Sequence, residues 1–123
     1  MLRFEVTSKQ AGETEGSIRL AFKGQLTFNF VPQFNREINN WLLRGVQCFD
    51  LDFREITYLD SPGLGAVVTA SDACRAMGGS ARILNPRRLI RHLFKSAHME
   101  RNLQFVDSAE GDAIISSQAI QAN

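Results

Sequence analysis

Two hydrophobic periods take turns along this chain, and their order leaves few folds open. In SIRLAFK (17–23), Ile18, Leu20 and Phe22 alternate with other residues, the pattern of a strand with one buried face. LRFEVT (2–7) does the same with Leu2, Phe4 and Val6. The glycine-rich, charged KQAGETEGS between them reads as the loop of an antiparallel hairpin. After Gly24 the period becomes helical. Phe34, Ile38, Trp41 and Leu42 share one face, and Gln33, Arg36, Glu37, Asn40 and Arg44 the other. Pro32 suits the first turn of that helix and Gly45 its stop.

The alternation then repeats. VQCFDLDF (46–53) predicts a strand, and Ser61 to Met77 predicts a helix ended by Gly78-Gly79. The polar positions Thr69, Asp72 and Arg75 lie on a single stripe of that helix, so most of its surface is expected to be buried, with Val67 and Cys74 inside. SARIL (80–84) is a further strand. Asn85-Pro86 reads as an N-cap and first helical residue, opening a helix with Leu89, Ile90, Leu93 and Phe94 on its apolar face. LQFV (103–106) predicts a last strand. Asp107 to Glu110 is spaced as a capping box for a fourth helix, in which Ala113 and Ile114 can pack, and the tail after about Gln118 is expected to fray. The order β-β-α-β-α-β-α-β-α implies an α/β fold: a mixed sheet of about five strands, parallel apart from the opening hairpin, packed against about four helices. Residues 1–123 suffice for one domain with a core of its own.

Composition narrows function by exclusion. The formal net charge is +1, which gives no global pull toward nucleic acid. Cys48 and Cys74 each sit alone in apolar segments and read as two reduced, buried thiols. No charged-then-apolar leader and no run of membrane-spanning length is present, so the expectation is a cytoplasmic protein without membrane insertion. His92 and His98 lack acidic or cysteine companions at metal spacing, which argues against a metal site. Asp50, Asp52 and Asp60 come without a nucleophile–base pair or a phosphate-cradling loop, so no catalytic residue and no cofactor is assigned and the chain reads as a non-enzyme.

The informative stretch is YLDSPGLGAV (58–67). Ser61 followed by Pro62 marks a helix start, with Ser61 as N-cap and Pro62 at the first helical position. Gly63 and Gly65 leave that start uncovered, so a partner surface can approach the backbone. A hydroxyl at a positive helix end also suits phosphate. A second feature is the basic set from Arg87 to Arg101, in which Arg88 and Arg91 can steer an acidic partner. No aromatic residues interleave with these charges, so nucleic-acid stacking is not expected.

ITYLDSPGLGAVVTASDACRAMGGSARILNP resembles the core of the STAS domains, and more narrowly the bacterial anti-sigma-factor antagonists. The shared pattern is an apolar strand, Asp-Ser-x-Gly-Leu, an apolar helix closed by Gly-Gly, a short strand and Asn-Pro. The resemblance implies that Ser61 is phosphorylated by a partner serine kinase of the GHKL ATPase type and restored by a metal-dependent serine phosphatase. The unmodified domain would bind the kinase or anti-sigma factor and free a sigma factor. On this reading Asp60, Ser61, Pro62, Gly63, Leu64 and Gly65, with Arg88 and Arg91, form the partner-binding set. Pro62 stands where the family has Ser, Thr or Ala, and Asp50 where it has an apolar strand residue. Two other readings stay open: a STAS subunit of a lipid or anion transport complex that is never phosphorylated, and a small nucleotide- or metabolite-binding domain.

Overall fold

The alternating runs become neighbouring strands. The computed structural model describes residues 3–10, 16–101 and 103–107. Strands β1 (Phe4–Gln10), β2 (Ser17–Leu26), β3 (Cys48–Leu59), β4 (Ser80–Leu84) and β5 (Gln104–Val106) lie side by side in chain order. β1 pairs antiparallel with β2, and every later pair is parallel. Helices α1 (Val31–Leu43), α2 (Ser61–Ala76) and α3 (Arg88–Ser96) make the crossovers, with a 3₁₀ turn at Phe28–Phe30 before α1. Three α-helices are thus present among the described residues instead of about four. The helix expected from Asp107 and the fraying tail lie outside them.

Register sorts the two sheet faces. Leu20, Leu51, Ile83 and Phe105 form one cross-strand row, and Ile18, Phe49 and Ala81 the row beside it. Apart from the partly covered Phe105, these side chains are buried. The intervening row is Arg19, Asp50, Arg82 and Gln104, on the opposite face because side chains alternate along a strand. Asp50 accepts two hydrogen bonds from Arg82, from Nε at 2.8 Å and from Nη2 at 2.9 Å. The charge at Asp50 is therefore a cross-strand partner on the outer face. The apolar face is covered by Phe34 and Ile38 of α1, by Leu64, Val67, Ala70 and Cys74 of α2, and by Ile90 and Phe94 of α3. Phe22 touches Phe4, Phe34 and Phe53 at ring separations of 5.3–5.7 Å, tying the hairpin to α1 and β3.

Four local expectations need correction. β3 continues to Leu59, six residues past its expected end, because two register shifts insert extra residues against β2. The N-cap of α3 is Arg87, not Asn85. Asn85 instead closes β4: its φ is +52° and its N–H bonds the Val106 carbonyl at 2.7 Å. Leu89 faces outward, half-exposed, since Ile90 and Phe94 take the buried side. Cys48 is exposed at the first residue of β3, while Cys74 is 1 % exposed in α2.

The two thiols should therefore differ sharply. Burial pushes the Cys74 thiol from 9.0 up to about 11, with a smaller push from Cys48 and an opposing pull from Arg75. A thiolate-selective disulfide reagent at mildly alkaline pH should titrate Cys48 rapidly and reach Cys74 only on unfolding. Two fast-reacting thiols in the native protein would contradict the packing of α2. The sign of the pH effect follows as well. The folded-state value is raised, so this contribution is complete below 9.0 and is lost as pH climbs toward 11, where the unfolded chain ionises first.

Candidate protein-docking site at the start of α2

β3 delivers the chain to Asp60, whose backbone is extended (φ −91°, ψ −177°) and whose side chain performs two tasks. Oδ1 accepts a hydrogen bond from the Gly63 N–H at 2.8 Å, which caps α2. Oδ2 accepts one from the Phe28 N–H at 2.9 Å, which fastens the 3₁₀ turn to the same point. The N-cap is thus Asp60 and not Ser61. The carboxylate wins because it satisfies two N–H groups from different segments, whereas a serine hydroxyl at Ser61 would serve one. Ser61 becomes the first helical residue and Pro62 the second, where its missing N–H still leaves no helical bond unmade.

The two glycines have different reasons. A Cβ on Gly63 would lie 2.0 Å from the Leu26 carbonyl oxygen, so the room there is already filled by the end of β2. Gly65 has nothing within 4 Å of the corresponding position and is half-buried. Of the expected partner-binding residues, Ser61 and Pro62 are exposed, Gly65 is partly so, and Gly63 and Leu64 lie beneath and shape the surface from below. The Ser61 hydroxyl has no hydrogen-bond partner among the described residues.

Two residues outside the expected set belong to this end of the sheet. Phe28, whose backbone rests on Asp60, is 66 % exposed, and Tyr58, two residues before Asp60, is 44 % exposed. Large aromatic side chains on a rigid surface are the usual anchors of protein interfaces. Phe28 falls between the two hydrophobic periods, which is why neither pattern singled it out.

The basic set is divided by the structure. Arg88 is exposed on the first turn of α3. Arg91 is half-buried, with Nη2 2.9 Å from Asp107 Oδ2 and its guanidinium 5.2 Å from the Phe105 ring centre, so it helps fasten α3 to β5. His92 lies beside Ser96, with Nε2 3.2 Å from Oγ. Among the described residues, no group of three His, Cys, Asp or Glu is placed to hold a metal ion, and no helix is long and apolar enough to cross a membrane.

The fold and this helix start define a class, and the comparisons with known proteins name it. The STAS domain family model matches residues 8–113, so the chain belongs to the STAS domain family. Among solved structures, it is similar to the anti-sigma factor antagonist SpoIIAA in its unphosphorylated form, with 21% identity, TM-score 0.69, and coverage of 88% of this chain and 90% of that one. SpoIIAA from Bacillus in its phosphorylated form aligns with TM-score 0.64 at 21% identity, covering 88% of this chain and 93% of that one. An anti-sigma factor antagonist from Mycobacterium paratuberculosis aligns with TM-score 0.72 at 11% identity, covering 87% and 88%. No curated protein matches closely enough to count as a relative. At these identities the structural likeness establishes the fold: an α/β STAS fold on a five-stranded mixed sheet.

Proposed function

We propose that this domain is a non-enzymatic, phospho-switchable anti-sigma-factor antagonist. Unmodified, the surface at Ser61 binds an anti-sigma factor that is also a GHKL-type serine kinase; phosphate on Ser61 breaks the complex, and a metal-dependent serine phosphatase restores it. The observation that carries the reading is the exposed, unpartnered Ser61 hydroxyl at the first position of α2, directly after Asp60, whose carboxylate ties the helix start to the turn that carries exposed Phe28. The likeness to SpoIIAA, an anti-sigma factor antagonist with an unphosphorylated and a phosphorylated form, supports the same reading.

The donor inventory of the first turn says where the phosphate would act. The Gly63 N–H is taken by the Asp60 carboxylate, and the Leu64 N–H by the Asp60 carbonyl at 2.8 Å. Pro62 has no N–H. Only Ser61's own N–H is left, so the first turn cannot cradle the group as a free helix start could. The added charge, about −1.5 to −2 at pH 7, would stay at the surface beside Asp60 and meet the partner.

A pull-down from the source cells with mass spectrometry, reading phosphate on Ser61 in the same sample, tests this. The expected result is capture of a GHKL-type kinase and phosphate on Ser61. An unmodified Ser61 together with captured transport subunits would overturn it in favour of the transport reading. That reading has its own support in the likeness to the murine anion transporter Slc26a9, whose chain is matched over 18% of its length at 12% identity and TM-score 0.61.

A further inference from the structure

We propose that a basic recess beside the α2 start receives an acidic side chain of the docking protein partner. The inference rests on the reading of this end of the sheet as a protein-docking surface, and it assigns the electrostatic contact to residues other than Arg88 and Arg91. Arg3, Lys23 and Arg87, far apart in sequence, converge with Glu55 and Thr57 around a cavity of about 360 Å³. Three cations face Glu55 in the lining and Glu5 just outside it, 3.7 Å from Arg3, which leaves one net positive charge at the recess.

The walls are built before any partner arrives. Arg3 is pinned from both sides: its N–H donates to Gln25 Oε1 at 2.9 Å, and its carbonyl accepts from the Gln25 N–H at 2.7 Å. The chains approach so closely only because residue 24 is glycine. A Cβ there would lie 1.9 Å from the Arg3 oxygen, and its φ is +110°. Thr57 Oγ1 donates to the Gly24 carbonyl at 3.3 Å, and Arg87 Nε donates to the Arg54 carbonyl at 2.9 Å. One donor of the Arg87 guanidinium therefore fixes the fork, and the others remain for a carboxylate. Lys23 reaches Glu55 only at 4.0 Å, and Arg3 reaches Glu5 only at 3.7 Å, both exposed pairs that a better-placed acceptor can displace.

Position links the recess to Ser61. Gly24 precedes Leu26, on which Gly63 sits, by two residues, and Thr57 precedes Asp60 by three. At the rise of a strand these steps are about 7–10 Å, so a partner centred on Ser61 also covers the recess. A carboxylate seated there would gain charge-assisted hydrogen bonds and fix the orientation of docking.

The test uses the full chain and a hexaglutamate peptide, titrated at low salt while backbone amide shifts are followed. Saturable shifts at Lys23, Gly24, Thr57 and Arg87 are expected, fading at high salt. The double substitution Lys23→Gln/Arg87→Gln should weaken the peptide at least about tenfold while the amide spectrum stays that of the folded chain, and Arg36→Gln on α1 should leave peptide binding unchanged. Shifts spread over the surface, or equal losses from Arg36→Gln, would reduce the effect to general attraction and overturn the proposal. Binding of inorganic pyrophosphate at the recess without the peptide would also overturn it, by making the site one for small anions. The titration does not involve the Ser61 hydroxyl. An unphosphorylated Ser61 with intact peptide binding would therefore sink the switch alone, and the converse would sink the recess alone.

Discussion

Gly63→Ala should destabilise the domain by roughly 3 kcal/mol, with a fall in melting temperature of about 10 °C or more. The new methyl group would start 2.0 Å from the Leu26 carbonyl oxygen and 3.2 Å from Asp60 Oδ1. Neither neighbour is the free end of a flexible chain. Leu26 ends β2, and the Asp60 carboxylate is held by two N–H groups. Relief requires α2 to lift off β2, which would loosen the cap, the 3₁₀ turn and the seat of buried Leu64 together. Gly65→Ala is the matched control. Its Cβ meets nothing within 4 Å, so the gain in helix propensity should stabilise the fold by roughly 0.5–1 kcal/mol. Thermal and urea denaturation of the two variants measures both effects. Gly63→Ala within about 0.5 kcal/mol of the parent, below the overpacking range, would mean that α2 is not seated on β2 as described. The pair also separates stability from binding, because a partner that approaches Gly65 closely should bind Gly65→Ala more weakly although its fold is firmer.

Ser61 and Asp60 show what a sequence can and cannot disclose. Both residues are good N-caps and they are adjacent, so local chemistry offers no choice between them. The choice is tertiary: the second carboxylate oxygen of Asp60 takes the Phe28 N–H, 32 residues away in sequence. β3 carries the same lesson. Its first half alternates with Phe49, Leu51 and Phe53 inward, and was readable for that reason. Beyond Phe53 the buried positions fall at Ile56 and Leu59, every third residue, because each register shift against β2 consumes an extra residue. A period of two cannot be read through such bulges. The order of elements needed only the two periods and the glycine stops, and that order holds throughout the described residues. Leu89 departed because four apolar residues on α3 compete for a buried side that accommodates only Ile90 and Phe94 fully. The recess at Arg3, Lys23 and Arg87 was invisible to any pattern, since it exists only once β1, β2 and the α3 cap are assembled.

Phosphate on Ser61 should weaken partner binding by a factor on the order of a hundred or more, equivalent to about 2.7 kcal/mol. The reason lies in the first turn. With Gly63 and Leu64 N–H groups committed to Asp60 and none on Pro62, the first turn offers the modified side chain no donor beyond its own N–H. The partner would have to desolvate a nearly doubly charged group next to a carboxylate, in a surface fitted to a hydroxyl. Ser61 is not the cap, so Ser61→Ala should melt within about 0.5 kcal/mol of the parent and bind constitutively. Ser61→Asp adds a charge at a helix N-terminus, where the dipole favours it by roughly 0.3–1 kcal/mol, so it should fold normally. It carries less charge than phosphate, and its affinity should fall between the other two. Pro62→Ala returns an N–H to the second helical position and should narrow the gap between modified and unmodified protein. Titration of each form against the partner captured by the unmodified domain measures these differences. Equal affinities for Ser61→Ala, Ser61→Asp and the phosphorylated protein would remove the switch, leave Ser61 as an ordinary first-turn residue, and favour a STAS subunit that is never phosphorylated.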